Sequence, residues 1–356
     1  MLNLTRRNLK VVPSLVTELK SQLTNLDLSF NKITVFPSDL FDGPFCESII
    51  SLNLGDNLLM TLPIELTYCQ SLVNLKICNN QLPLLPDKIG RLESLRRLDA
   101  SGNRIATLQS GSLSALTSLT ILDMSRNMLT CIANEEIWTL TSLTEFSLSF
   151  NRLERLPVGI GCLTNLRALR ADNNSLSGLE PDIVKLPLLR ELQLSQNNLA
   201  RLPGTCWPSA TSLTVLDLSR NDLDSLPHQI GVLTALRTIG LARNPRLSPR
   251  LVQALFAGGA PAVLAHLRTL RPPSAPEVAA DDGIEGLRRA DEERRRRRRQ
   301  RLEALVSGAG GGQDGATRFY RELHALLGEE GLPAEEAREV KDRLVRRMLR
   351  RKDDAL

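Results

Sequence analysis

Histidine, aromatic side chains and long apolar runs are all scarce in this 356-residue chain. The three histidines, His228, His266 and His324, lie far apart, and no two of the six cysteines are spaced as CxxC. No metal or other cofactor is therefore expected. Residues 308–315 read GAGGGQDG without the Gly-Lys-Ser or Gly-Lys-Thr ending of a phosphate loop, so they are expected to be a flexible linker. No apolar run approaches the roughly 18 residues that a membrane span needs. The chain opens without a basic segment leading into an apolar one, so no secretory leader is expected. Cys46, Cys69, Cys78, Cys131, Cys162 and Cys206 are scattered rather than clustered, which reads as a reducing compartment. The expected location is cytoplasmic, with the nucleus left open. Aromatic residues make up 3% of the chain and all hydrophobic residues 42%, so any core must be built from aliphatic side chains.

What is abundant is leucine in a fixed frame. Ten asparagines, Asn31, Asn57, Asn80, Asn103, Asn127, Asn151, Asn174, Asn197, Asn221 and Asn244, stand 23 to 26 residues apart. Each closes a phrase of the form LxxLxLxxN, as in LTNLDLSFNKI, LRRLDASGNRI and LTVLDLSRNDL. The leucine spacings of three and then two suit a short strand and the bend that leads into it, because a period of 3.6 would scatter them around a helix. Repetition at this period marks stacked units that share one core. The asparagine amide both donates and accepts, so a column of them can satisfy backbone groups left unpaired where each strand ends. That is a structural task rather than a ligand-binding row.

These phrases resemble the leucine-rich repeat family over about residues 1–270. Proline stands six residues after the asparagine at Pro37, Pro63, Pro86, Pro157, Pro203 and Pro227, and phrases such as LPDKIGRLESL and LPVGIGCLTNL resemble the intracellular Ras-group type of animals and plants. The resemblance implies an α/β leucine-rich repeat solenoid: a curved parallel sheet on the concave side, short helical or 3₁₀ turns outside, and a separate α-helical C-terminal tail. Proline fixes its own φ and can start a helical turn without wasting a hydrogen bond. Gln109, Ala133 and Glu180 replace it in three units, whose outer segments are expected to be less regular. The longer second unit, containing Asp42, Gly43 and Pro44, predicts a small outer loop. In the first unit the frame position falls on Arg7 rather than on the neighbouring Asn8, so the ladder is expected to fray there.

The reading divides the chain into a solenoid of about eleven repeats over 1–247, a helical cap over 248–271, a linker over 272–283, a basic helix over 284–306, a glycine-rich linker over 307–315 and a helical hairpin over 316–353. Leu251, Leu255, Val263, Leu264 and Leu267 share the helical spacing expected of a cap. Residues 284–356 hold 19 Lys and Arg against 15 Asp and Glu, so they supply four of the chain's five net positive charges. Arg294, Arg295, Arg296, Arg297, Arg298 and Arg299 form one run. It reads as a solvated helix, an import signal, or a site for an acidic partner, a membrane patch or nucleic acid. The hairpin is too small to stand alone and is expected to self-associate, dock, or pair with a partner helix in coiled-coil fashion.

In each frame the residues between leucines face away from the core. Eleven strands at about 4.8 Å give an arc of roughly 50 Å, a surface of protein size. The candidate partner-binding residues on it are Lys76, Arg97, Asp99, Asp123, Arg126, Arg170, Gln193 and Asp217, with Phe30 and Phe150 at the rim. Two readings stand for the charges, a solvated face and a recognition surface selecting its partner by charge complementarity. Two also stand for the phenylalanines, which either anchor a partner or tuck against the next repeat. Paired carboxylates on an open, hydrated sheet have no pocket to shift their pKa values, and no kinase or phosphate-loop motif is present, so no enzyme is expected. The expected function is a protein interaction scaffold. The family resemblance implies a small GTPase or a phosphatase subunit as its partner.

Overall fold

The computed structural model describes residues 1–270 apart from 42, 109–111, 133–136 and 205–206. The basic run, both linkers and the hairpin of the tail lie outside the described residues.

Eleven parallel strands form one sheet in strict chain order. They are β1 (Leu2–Asn3), β2 (Asn25–Asp27), β3 (Ser51–Asn53), β4 (Asn74–Lys76), β5 (Arg97–Asp99), β6 (Ile121–Asp123), β7 (Glu145–Ser147), β8 (Ala168–Arg170), β9 (Glu191–Gln193), β10 (Val215–Asp217) and β11 (Thr238–Gly240). The register is in step throughout: Leu26, Leu52, Leu75, Leu98, Leu122, Phe146, Leu169, Leu192, Leu216 and Ile239 follow one another strand to strand. All are buried in one continuous core. Neighbours in sequence are thus neighbours in space, which is the one-dimensional logic of a solenoid.

Each strand ends in the same device. The residue before the ladder asparagine takes a left-handed conformation: Arg6, Phe30, Asp56, Asn79, Gly102, Arg126, Phe150, Asn173, Gln196, Arg220 and Arg243 all have φ between 50° and 64°. Only one of them is glycine, although this region is unfavourable for other L-residues. The turn drops the asparagine inward, where its amide links two repeats. In Asn127, Oδ1 accepts from the N–H of Ile105 in the preceding repeat, while Nδ2 donates to the carbonyls of Ala100, Met124 and Ser125. Hydrogen bonds of the same kind recur from Asn57 to Asn244. The first unit has no amide of its own, yet Asn31 Oδ1 accepts from the N–H groups of both Arg7 and Leu9. The absent asparagine therefore leaves the first turn bonded to the second.

Outside, 3₁₀ turns run over Ile64–Tyr68, Val158–Cys162 and His228–Val232. Proline precedes each of these turns rather than opening it, with Pro63, Pro157 and Pro227 extended and their carbonyls accepting from Leu66, Ile160 and Ile230. Glu180 adopts the same extended backbone and accepts from Ile183, so the Pro181–Lys185 turn is as regular as its neighbours. The expected irregularity is absent there because Pro181, one place later, pre-sets the first residue of the turn. Gln109 and Ala133 lie outside the described residues.

The longer second unit corrects another expectation. Its extra residues form a short helix, α1 (Pro44–Ser48), entered through Gly43 at φ 49°. Phe45 is wholly buried and packs edge-on to Phe41, which lies tilted against Phe36 with ring centroids 5.2 Å apart. The insertion delivers an aromatic side chain to the core, and that burial explains a helix where a loop was expected.

After β11 the chain turns at Asn244 and enters a helix over Pro249–Thr269, with Ser248 Oγ accepting from the Leu251 N–H and Pro249 in the first turn. It is kinked at Gly258 and Gly259, the latter at φ 60°. Leu251, Val263, Leu264 and Leu267 are buried and Leu255 is half-buried, so the helix closes the end of the core. By length and composition it is apolar enough to cross a membrane. Its apolar side is instead engaged with the last repeat, where Arg268 Nε donates to the Gly231 carbonyl at 2.6 Å.

Asn127→Ala is expected to lower unfolding free energy by about 1–3 kcal/mol, because it leaves buried backbone groups without partners. Asn198→Ala, at an exposed position, should fall within about 0.5 kcal/mol of the parent. Urea unfolding of the two variants measures the difference.

Candidate functional site

The concave face is tiled by the strand residues that flank each buried leucine. Its central column contains Lys76, Asp99, Asp123, Ser147, Arg170, Gln193 and Asp217 on consecutive strands. Asp99 and Asp123 are direct neighbours across β5 and β6.

These aspartates also hold backbone. Asp99 Oδ1 accepts from the Ser101 N–H at 3.2 Å and its hydroxyl at 2.6 Å, Asp123 Oδ1 from the Ser125 N–H at 2.9 Å, and Asp217 Oδ1 from the Ser219 N–H at 3.0 Å. Asn3 and Asn53 make the same hydrogen bond to Thr5 and Gly55 through an amide oxygen. The local task therefore needs an acceptor two residues before the N–H, and the negative charge is additional to it. Among the described residues, Arg170 is the charged candidate of this column in an ion-pair network: Glu191 lies at 2.9 Å and Glu145 at 3.6 Å. Partial burial lowers its pKa, but the hydrogen bonds and charges of Glu191 and Glu145 outweigh burial and raise it above the usual arginine value. Gln193 Nε2 donates to the same Glu191, so the column is rigidly organised at β8 and β9. Lys76 is half-buried and Arg97 exposed.

Arg126 is placed away from this column. It occupies the left-handed turn, with its guanidinium carbon 4.7 Å from the centroid of the Phe150 ring. Phe30 has the same companion, Arg6, at 4.8 Å. Both rings combine features of the two readings, each being covered on one side by the preceding repeat while staying 49% and 46% exposed. Arg6 was not singled out in the sequence, although its frame position is that of Phe30 and Phe150.

Stacking brings Cys46 of α1 and Cys69 together as a disulfide, with Cα atoms 4.0 Å apart. Their separation of 23 residues is one repeat, so equivalent outer positions fall side by side, a signal present in the spacing. Cys78, on the concave side, is pushed up to about 12 by burial and then by the nearby charges of Asp99 and Asp56, so its thiol stays protonated and poorly nucleophilic near neutral pH. Among the described residues no group of His, Cys, Asp and Glu could hold a metal ion.

Family comparison agrees with this geometry. Models described as leucine rich repeat match residues 93–153, 164–223 and 187–245, and a further one matches 22–43. Over those residues the chain is similar to the leucine-rich repeat family. It is 45% identical to mouse Podocan-like protein 1 over 82 residues, which is 22% of this chain and 14% of that protein. Over 85 residues it is 35% identical to the rice plant intracellular Ras-group-related LRR protein 8, covering 23% of this chain and 22% of that one. The match thus spans less than a quarter of either relative. Among solved structures, a TDR receptor aligns over 67% of this chain and 42% of its own with a TM-score of 0.60 and 25% identity.

Alkylation of the denatured, unreduced protein tests the bridge. Cys46 and Cys69 are expected to take label only after reduction. Uptake by all six cysteines at once, read by intact mass, would show the Cys46–Cys69 pair to be reduced.

Proposed function

We propose that this chain is a non-catalytic interaction scaffold that holds a protein partner on its concave sheet. The observation that carries this is the charged column from Lys76 to Asp217 on one continuous eleven-stranded face, with Asp99 and Asp123 adjacent and Arg170 fixed between two glutamates. A surface of that length fits a macromolecule, and preset charges favour discrimination between partners over raw affinity. In its narrower form the reading places the protein inside the cell, in small-GTPase or phosphatase signalling, as the Ras-group resemblance implies. The rice relative's name points the same way.

Asp→Asn at positions 99 and 123 is a clean probe, because Asn3 and Asn53 already perform the backbone task with an amide oxygen. The double variant should melt within a degree or two of the parent yet lose the partner recovered from native extract, as should Arg170→Gln. Recovery of the same proteins by parent and variants would refute a concave site.

The arginine run from Arg294 to Arg299 supports a second contact, with an acidic surface or nucleic acid. Deleting residues 284–306 is expected to abolish any salt-sensitive binding of RNA or DNA and to leave the concave partner in place. Retained nucleic-acid binding after that deletion would refute the assignment to the arginines.

A further inference from the structure

The rim of the sheet carries one constellation twice. LSFNK at residues 28–32 and LSFNR at residues 148–152 each put a phenylalanine in the left-handed turn and a cation two residues on, Lys32 or Arg152. In both, the preceding repeat supplies an arginine from its own left-handed turn, Arg6 or Arg126, against one face of the ring. The four cations are exposed, and among the described residues none of them is in an ion pair. Each ring is thus oriented by a neighbour while about half of it still faces water. Five repeats separate the copies, about 24 Å along the stack.

We infer that these are two docking points for one acidic protein segment, each taking a carboxylate on its cations and an apolar side chain on the open part of its ring. This rests on the scaffold reading above and moves the energetically dominant contacts from the floor of the sheet to its rim. Ring and arginine are the side-chain types that dominate interface energies, and both are held in place before binding. Charge favours a protein over a nucleic acid. Asp56, held by the Asn79 amide at 3.0 Å, stands in the same column one repeat beyond Phe30, and Gly102 leaves a neutral gap before Arg126. A polyanion tracking the rim would meet that carboxylate, whereas a protein segment can deliver negative charge at the two cationic points alone. Two linked contacts reinforce each other through effective concentration, so loss of both should exceed loss of either.

The probe is a display library of 16-residue peptides selected against the full-length chain. Selected peptides are expected to be acidic, with apolar residues beside the carboxylates. Their affinity should fall about tenfold on Phe150→Ala and on Arg126→Gln, and further on combining Phe30→Ala with Phe150→Ala. Thermal melting of each variant confirms folding, and Arg126→Gln, at an exposed side chain, keeps the test open if a phenylalanine variant is unstable. A neutral or basic selection, no selection at all, or peptides indifferent to both Phe150 and Arg126 would overturn the inference. Peptides sensitive only to Asp99→Asn with Asp123→Asn would overturn it too while sparing the concave-face reading. Displacement of bound peptide by a 20-nucleotide oligothymidine at 150 mM salt, lost in the same rim variants, would overturn it in favour of nucleic acid.

Discussion

The amide of one buried asparagine per repeat is the interaction on which everything else rests. A chain that ends a strand after three residues and reverses direction leaves N–H and C=O groups with no ladder partner, and burial makes such groups costly. The side-chain oxygen and nitrogen of Asn127 close several of these at once, and they do so across a repeat boundary. Leucine burial supplies the bulk of the driving force, but it is non-directional. The amide is what fixes one unit to the next in register, and a register held over eleven strands is what lines up Lys76, Asp99, Asp123 and Arg170 as a single surface.

The repeat architecture was legible in the sequence because each frame states it again, and stacked units inherit the same geometry from the same residues. Departures from the repeat were harder to read. Residues 42–44 looked like a loop because Asp, Gly and Pro are turn formers, yet Phe45 just beyond them has a place in the core, within a helix that Pro44 opens. Glu180 looked like a fault because the pattern was judged one position at a time, when Pro181 beside it restores the turn. The cysteines were judged by their clustering in sequence, and in a solenoid closeness is measured modulo the period.

Site residues were legible as positions and not as roles. The frame correctly implies that Asp99 and Asp123 are adjacent on the sheet, but it gives no hint that each one caps a serine N–H two residues later. Nor does it reveal that Arg170 is committed to Glu145 and Glu191, or that Arg126 turns to the rim to lie over Phe150. Those facts depend on side-chain direction, and two residues apart in a left-handed turn point very differently from two residues apart in a strand. Function on this scaffold is written in the residues that the fold leaves unconstrained, and the same residue can be partly constrained, as the aspartates are.

The direction of the amide bonds gives the stack a polarity that its repeating sequence conceals. Each asparagine accepts from the turn of the unit before it, so the turn at Arg7 is served by Asn31. At the other end Asn244 accepts from Leu223 and, among the described residues, no later amide reaches its own turn. There the Leu247 N–H goes back to the Asn244 carbonyl and the capping helix begins at once. A solenoid of this kind is chemically asymmetric, like a polymer with unlike end groups: shedding a unit at one end leaves an amide oxygen without its donors, and shedding one at the other strands a backbone with no partner.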